Sequence, residues 1–327
     1  MIRNALFCRK NNLSVQKRKI VCMYVCAILL IGCSNTADNQ NPEPVTGYDK
    51  TTCQGYVDEV SFTMQSIPQV TNGFIGDDSV NNNKKHTVNL TPYHIGTTEV
   101  TQELWQAIMG KNPSHFQGAD KLPKSGEVQE KRPVENINWF ECIAFCNELT
   151  KKVNGGSDSE CVYYLEDEEA TVYTIDHARD EKNPIQKMEK KGFRLPTSAE
   201  WTWAAQGGDA HQKYAGTDDI TQLDKYAWHK DSAENKTHQV GLKTKNGFGL
   251  YDMSGNVTEW CWDYFHAATP ADGQTDPDGG GKMSNRTSHG SSWTNTKNNN
   301  HCPIAYRILT SPTSRTYQRG LRIVCRP

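Results

Sequence analysis

The chain has 327 residues, enough for one large domain whose core needs no staples. Its 36 Lys and Arg nearly balance 38 Asp and Glu, and no basic block is long enough to track a phosphate backbone, which argues against a nucleic-acid partner. Eight Trp and thirteen Tyr in a chain of low hydropathy exclude disorder and predict a loop-rich globular protein.

In chain order, Arg9, Lys10, Lys17, Arg18 and Lys19 precede an apolar run over residues 20–31. Such a run is too short to span a bilayer, which takes about twenty helical residues. A basic segment before a short apolar one reads as an export signal. The run ends Leu30-Ile31-Gly32-Cys33. This ending resembles the lipobox of bacterial lipoproteins, so residues 1–33 are expected to be a signal peptide with Cys33 as the lipidated residue. A plain cleaved signal with an incidental cysteine is the alternative. Acyl chains would then hold the protein to a membrane of the cell envelope with no transmembrane helix. Residues 34–56 are assigned to a flexible tether, the Asn-, Thr- and Pro-rich part being 34–44. The globular domain is assigned to residues 57–327. Seven cysteines follow Cys33, an odd number, so at least one is unpaired within the chain.

Within the domain, alternation of apolar and β-branched residues predicts strands over 57–64 and 86–95, separated by a turn-rich segment over 77–85. Thr101 caps a short helix with Leu104, Trp105, Ile108 and Met109 on one face, and Gly110 stops it. Asn138 opens a second helix, in which Trp139, Cys142, Ile143, Cys146 and Leu149 recur at three and four residues. Thr197 and Glu200 form a capping box for a third helix, which Gly207-Gly208 ends. Three short helices among scattered strands and long Gly/Asn/Asp/Thr loops indicate an α+β fold.

These pieces fall in a family order. His86-Thr87-Val88-Asn89-Leu90 leads to Thr98-Glu99-Val100-Thr101. Pro133-Val134-Glu135-Asn136-Ile137-Asn138-Trp139 follows, then Phe193-Arg194-Leu195-Pro196-Thr197 with Glu200-Trp201. Gly247-Phe248-Gly249-Leu250-Tyr251-Asp252-Met253-Ser254-Gly255-Asn256-Val257 runs into Glu259-Trp260, and Gly290-Ser291-Ser292-Trp293 and Gly320-Leu321-Arg322 close the series. The set resembles the formylglycine-generating enzymes, or sulfatase-modifying factors. The resemblance implies an irregular, loop-rich, C-type-lectin-like fold.

It also implies a chemistry. The enzymes oxidise a sulfatase cysteine to formylglycine with oxygen and a copper ion held by two thiolates, soft ligands that suit Cu(I). The first thiolate lies two residues after the aromatic of the Gly-Gly-Ser-aromatic motif. With Trp293 as that aromatic, the position is Asn295, whose neutral amide cannot serve as a soft ligand. The second falls on Asn300 by strict count, or on Cys302 if the loop carries two extra residues. Cys302 is the surviving candidate, with a buried structural thiol as its plainer role. Trp260 and Ser292 match positions near the oxygen pocket, and each also has a plain role, in the core and in a turn. Copper is therefore not expected.

A structural calcium ion is expected from the same resemblance, held around Ser254, Gly255, Val257 and Glu259. Carbonyls with one carboxylate suit this hard cation, and a salt bridge from Glu259 to an arginine is the competing role. The family also pairs the helix cysteine at Cys146 with one in the final strand, here Cys325. A local Cys146–Cys161 bridge competes. Asp272, Asp276 and Asp278 in a Gly-rich loop are read as turn residues, and His289 and His301 as exposed. Two functional classes remain. One is an envelope-anchored binding or structural lipoprotein with a protein or peptide ligand. The other is a copper- and oxygen-dependent oxidase acting on a sulfatase cysteine or a related group.

Overall fold

The computed structural model describes residues 46–298 and 301–327. The expected signal peptide, Cys33 and the tether up to residue 45 lie outside the described residues. The domain starts earlier than residue 57. The segment 46–56, assigned above to the tether, already carries strands β1 (Gly47–Asp49) and β2 (Gln54–Val57). They pair antiparallel with each other, and β2 pairs with β3 (Val60–Ile67). The tether assignment missed them because strands of three and four residues are too short to show a strong apolar alternation.

Strand β4 (Val70–Ile75) forms a hairpin-like pair with β5 (His86–Leu90) across the turn-rich segment. The second predicted strand is two strands, because Thr91-Pro92 interrupts it before β6 (Tyr93–Gly96). Proline has no N–H to give to a ladder. Helix α1 (Gln102–Met109) starts where Thr101 Oγ1 accepts from the Leu104 amide and ends at Gly110. Helix α2 (Trp139–Val153) carries a capping box between Asn138 and Glu141. Its apolar stripe is buried, and Phe145 stacks on Trp105 of α1 with ring centroids 4.9 Å apart.

Strand β7 (Tyr163–Leu165), the short helix α3 (Ile175–Arg179) and strand β8 (Pro184–Gln186) follow. Helix α4 (Ser198–Ala205) begins with the predicted Thr197/Glu200 box and is buried on every side. Its polar members Ser198, Glu200 and Thr202 are each hydrogen-bonded in that buried setting. The second half contributes β9 (Thr258–Tyr264), β10 (Gln274–Thr275), β11 (Arg286–His289), β12 (Ile308–Thr310), β13 (Arg319–Leu321) and β14 (Val324–Cys325).

Among the described residues the strands form four sheets, with orders β1-β2-β3-β6-β14, β10-β5-β4, β12-β11-β9-β13 and β7-β8. The arrangement is the irregular, loop-rich α+β fold expected. The final strand β14 returns to pair with β6, so the chain's end closes the first sheet. Asp272 and Asp276 are the turn residues expected. Asp272 accepts from the Thr87 amide at 2.8 Å and Asp276 from the Thr91 amide at 2.9 Å, pinning the long loop before β11 to the β5 region.

Candidate functional site

The two motifs that carry the resemblance meet at one end of the β9–β11 pair. Every residue of β9 from Thr258 to Asp263 is buried, and β9 is an interior strand of its sheet, between β11 and β13. On its leading turn, Gly255 is wedged against the backbone of Trp228. A Cβ there would lie 2.4 Å from the Trp228 carbonyl oxygen. After β11 the chain turns through Gly290, whose φ of 76° is open to glycine at little cost. It then enters the loop of Ser291, Ser292, Trp293, Asn295 and Cys302.

That loop is knitted by its own polar groups. Ser292 donates from Oγ to Asn295 Oδ1 at 2.9 Å and from its backbone amide to the same oxygen at 3.2 Å. Lys230 N–H donates to the Asn295 carbonyl at 2.9 Å. The Asn295 side chain therefore serves as a turn brace. Cys302 is fully buried, 3.3 Å from Ser291 Oγ, and donates to the Thr296 carbonyl at 3.4 Å. Burial raises its pKa, so it is a thiol and not a thiolate at neutral pH. These residues do not fit a copper ion held between two thiolates. The alternative second position, Asn300, lies outside the described residues.

Trp260 is wholly buried in the core under α2, donating to the Ile137 carbonyl at 3.3 Å. It is a core residue and not part of an open pocket. Beside the loop, the accessible chemistry is aromatic instead, with buried Trp293 backing exposed rings. Trp293 packs edge-on to Phe116 at 5.2 Å and stacks on Tyr317 at 5.9 Å, and His115 lies 4.8 Å from Tyr317. Tyr317 is 42% exposed, so this cluster presents a face to solvent. No local pattern pointed to Phe116, His115 or Tyr317, which lie in turn-rich segments, Phe116 and His115 far along the chain from Trp293.

Glu259 takes the competing role, a salt bridge to an arginine. Its carboxylate meets Arg322 at 2.7 Å, and Trp201 Nε1 donates to its second oxygen at 2.6 Å. Arg322 also donates to the carbonyls of Gly96 and Tyr251. Burial works against the Arg322 charge, yet Glu259 holds its pKa above the ordinary value. The Glu259 carboxylate is saturated by cationic and neutral donors and does not fit calcium. Ser254 Oγ accepts from the Ala215 amide at 3.0 Å, and the Val257 amide donates to Glu99 at 3.3 Å. The turn is thus organised by a polar cluster of Glu99, Asp252 and Glu259 around Arg322. Burial, then the neighbouring Asp252 and Glu259, pushes Glu99 well up, so it is neutral. Among the described residues no three His, Cys, Asp or Glu side chains converge as metal ligands.

His289 is buried rather than exposed, stacked on Trp201 at 4.8 Å with Nε2 2.7 Å from Ser198 Oγ. All seven described cysteines are free, so neither Cys146–Cys325 nor Cys146–Cys161 is bonded. Cys161 instead donates to the Asn147 carbonyl at 3.6 Å, and Cys146 is packed in the apolar core.

An irregular α+β domain with a buried Glu–Arg pair behind a Gly-Ser-Ser-Trp loop defines a sulfatase-modifying-factor type of scaffold. The chain belongs to that family: residues 59–327 match the sulfatase-modifying factor enzyme 1-like domain. It is 35% identical over 216 residues to a chaperone protein LppX of Paenibacillus barcinonensis, covering 60% of this chain and 71% of that one. To a formylglycine-generating enzyme of Streptomyces coelicolor it is 28% identical over 72% of this chain and 79% of the other. Among solved structures, Treponema denticola variable protein 1 matches with a TM-score of 0.75 and 42% identity, covering 84% of this chain and 98% of that one.

Proposed function

We propose that this chain is an exported lipoprotein, anchored through Cys33, whose domain binds a protein or peptide ligand without oxidising it. The observation that supports this most directly is the loop after Trp293. Asn295 stands where the enzymes have a thiolate and is used as a turn brace, while Cys302 is a buried neutral thiol. Oxygen activation on copper has no ligand pair there. The exposed rings of Tyr317 and His115, held in place by the buried Trp293 and Phe116, offer rigid aromatic contact area at low entropic cost. The chaperone among the relatives supports a polypeptide as the partner. No helix among the described residues is long and apolar enough to cross a membrane, and membrane attachment is assigned to the lipid.

The test has two arms. Metabolic labelling with a fatty acid tags the wild type and not Cys33→Ser, which moves to the soluble fraction. Full-length protein, reduced and supplied with Cu(I), leaves a cysteine-containing sulfatase peptide unchanged in mass. Conversion to the aldehyde would replace the binding reading with the oxidase one.

A further inference from the structure

Two thiols from opposite ends of the domain meet at one histidine. β1 carries Tyr48, whose ring stacks on Phe62 at 6.0 Å and meets Phe193 edge-on at 5.3 Å. This packing aims its hydroxyl at His94 on β6, with Oη 2.7 Å from Nδ1. Cys53, in the turn between β1 and β2, places its sulfur 3.8 Å from the same nitrogen. Cys325 on β14 sits directly opposite His94 in the antiparallel ladder, so the two side chains share a face. Both thiols therefore face the Tyr48–His94 pair, Cys53 through its sulfur's approach to Nδ1 and Cys325 through its place opposite His94 in the ladder.

The pair is asymmetric in the way a reactive pair requires. Cys53 is partly exposed, whereas Cys325 is 1% exposed. Burial pushes the Cys325 thiol up to about 12, while the nearby Lys50 ammonium favours its ionised form. Cys53 also holds φ at 57°, a left-handed conformation unusual for a residue with a Cβ. The other thiols are placed differently. Cys142, Cys146 and Cys261 are wholly buried and lack an exposed partner thiol.

We propose that Cys53 and Cys325 form a disulfide that ties the turn between β1 and β2 to the final strand. The Cys53 thiolate attacks a small-molecule disulfide such as oxidised glutathione, forming a mixed disulfide and releasing one thiolate. Cys325 then loses its proton toward His94, its neighbour across the ladder, and attacks the Cys53 sulfur. The second glutathione thiolate leaves, so two protein thiols are oxidised and one disulfide is reduced to two thiols. The bond closes nearly the whole domain into one covalent loop, just beyond the residues that lead to the anchor. Such closure restricts the unfolded chain.

For its oxidant in the cell the proposal rests on the exported reading, and the experiment separates the two. Full-length protein is isolated from cells, and a second sample is reduced and then re-oxidised with glutathione disulfide. Both are alkylated without reduction, digested and mapped by mass spectrometry. The expected result is a linked Cys53–Cys325 peptide in both samples. It is absent in Cys53→Ser, whose Cys325 is alkylated or glutathionylated. Oxidised wild type should melt several degrees above oxidised Cys53→Ser, and the two should coincide under reductant. A link in the re-oxidised sample alone upholds the pairing and overturns the exported reading. Alkylation of both cysteines after re-oxidation, or a link from either to Cys146 or Cys161, overturns the proposal.

Discussion

Glu259 and Arg322 form an ion pair 2.7 Å long in which neither side chain is more than 1% exposed. It joins the interior strand β9 to the link between β13 and β14, and Trp201 adds a third partner from α4. Removing one member leaves the other charged and buried, which costs about 3–5 kcal/mol. Glu259→Gln is therefore expected to lower the thermal midpoint of the full-length protein substantially. A chelator is expected to leave the wild-type midpoint unchanged, since a folded-state ligand would otherwise raise it by mass action. A chelator-sensitive wild type with an insensitive Glu259→Gln would return this position to a calcium role.

Asp263 gives a pH signature. It lies at the end of β9, where its Oδ2 accepts from the Ser198 amide at 2.7 Å. Burial raises its pKa to about 7. An unfolded Asp titrates near about 3.9. Between these values the folded protein keeps a proton that the unfolded chain has released. The group's stabilising contribution is thus full below about pH 4 and is lost as pH rises toward 7. Asp263→Asn keeps the acceptor and cannot ionise. Its midpoint relative to wild type is expected to climb from pH 4 to pH 7 and then level off. Thermal scans showing a constant difference across that range would remove Asp263 from the account.

Gly255 tests the close approach behind the site. A Cβ would meet the Trp228 carbonyl oxygen at 2.4 Å and its nitrogen at 2.6 Å. Both are backbone atoms, so no rotamer change relieves the clash, and overpacking of this kind costs about 1–3 kcal/mol. Gly255→Ala is expected to lower the midpoint by several degrees and shift Trp fluorescence, because Trp228 stacks on His238 at 3.8 Å. A variant with wild-type stability would show that this turn has room to spare.

Helices and family were legible because their signals are local. Thr101, Asn138 and Thr197 each stand at an N-cap and accept from the amide three residues on. The site was legible only as positions. That Asn295 is not a sulfur ligand follows from its identity. That Glu259 is taken by Arg322 does not, because the two are 63 residues apart and only the sheet register joins them. The same holds for His289, whose burial comes from packing on Trp201 and from Ser198 of α4. Strands β1 and β2 were missed for a different reason. They are held by pairing, β2 on β3 and β1 on β2, and are too short to show a pattern of their own.

The binding reading turns on one side chain, so the sharpest test restores the missing sulfur. In Asn295→Cys the backbone brace from Lys230 N–H to the residue 295 carbonyl is retained, since it involves no side-chain atom. The Ser292 hydroxyl and amide lose their acceptor, at a cost of about 1–3 kcal/mol if both stay buried. In exchange the loop carries two sulfurs, at positions 295 and 302. In the wild type the Asn295 amide already lies 3.4 Å from His301, the neighbour of Cys302, so the two positions are close along the loop's fold. Two soft ligands on one loop favour Cu(I) strongly over one. Competition against a chromophoric Cu(I) chelator is expected to give Asn295→Cys at least about tenfold tighter binding than wild type, equivalent to about 1.4 kcal/mol. Cys302→Ala in that background should cancel the gain. Asn295→Ser should bind no better than wild type, which separates the sulfur from mere loss of the brace. If Asn295→Cys gains nothing, the loop does not bring positions 295 and 302 together as ligands. The scaffold then differs from the oxidases in its loop path as well as in its residue.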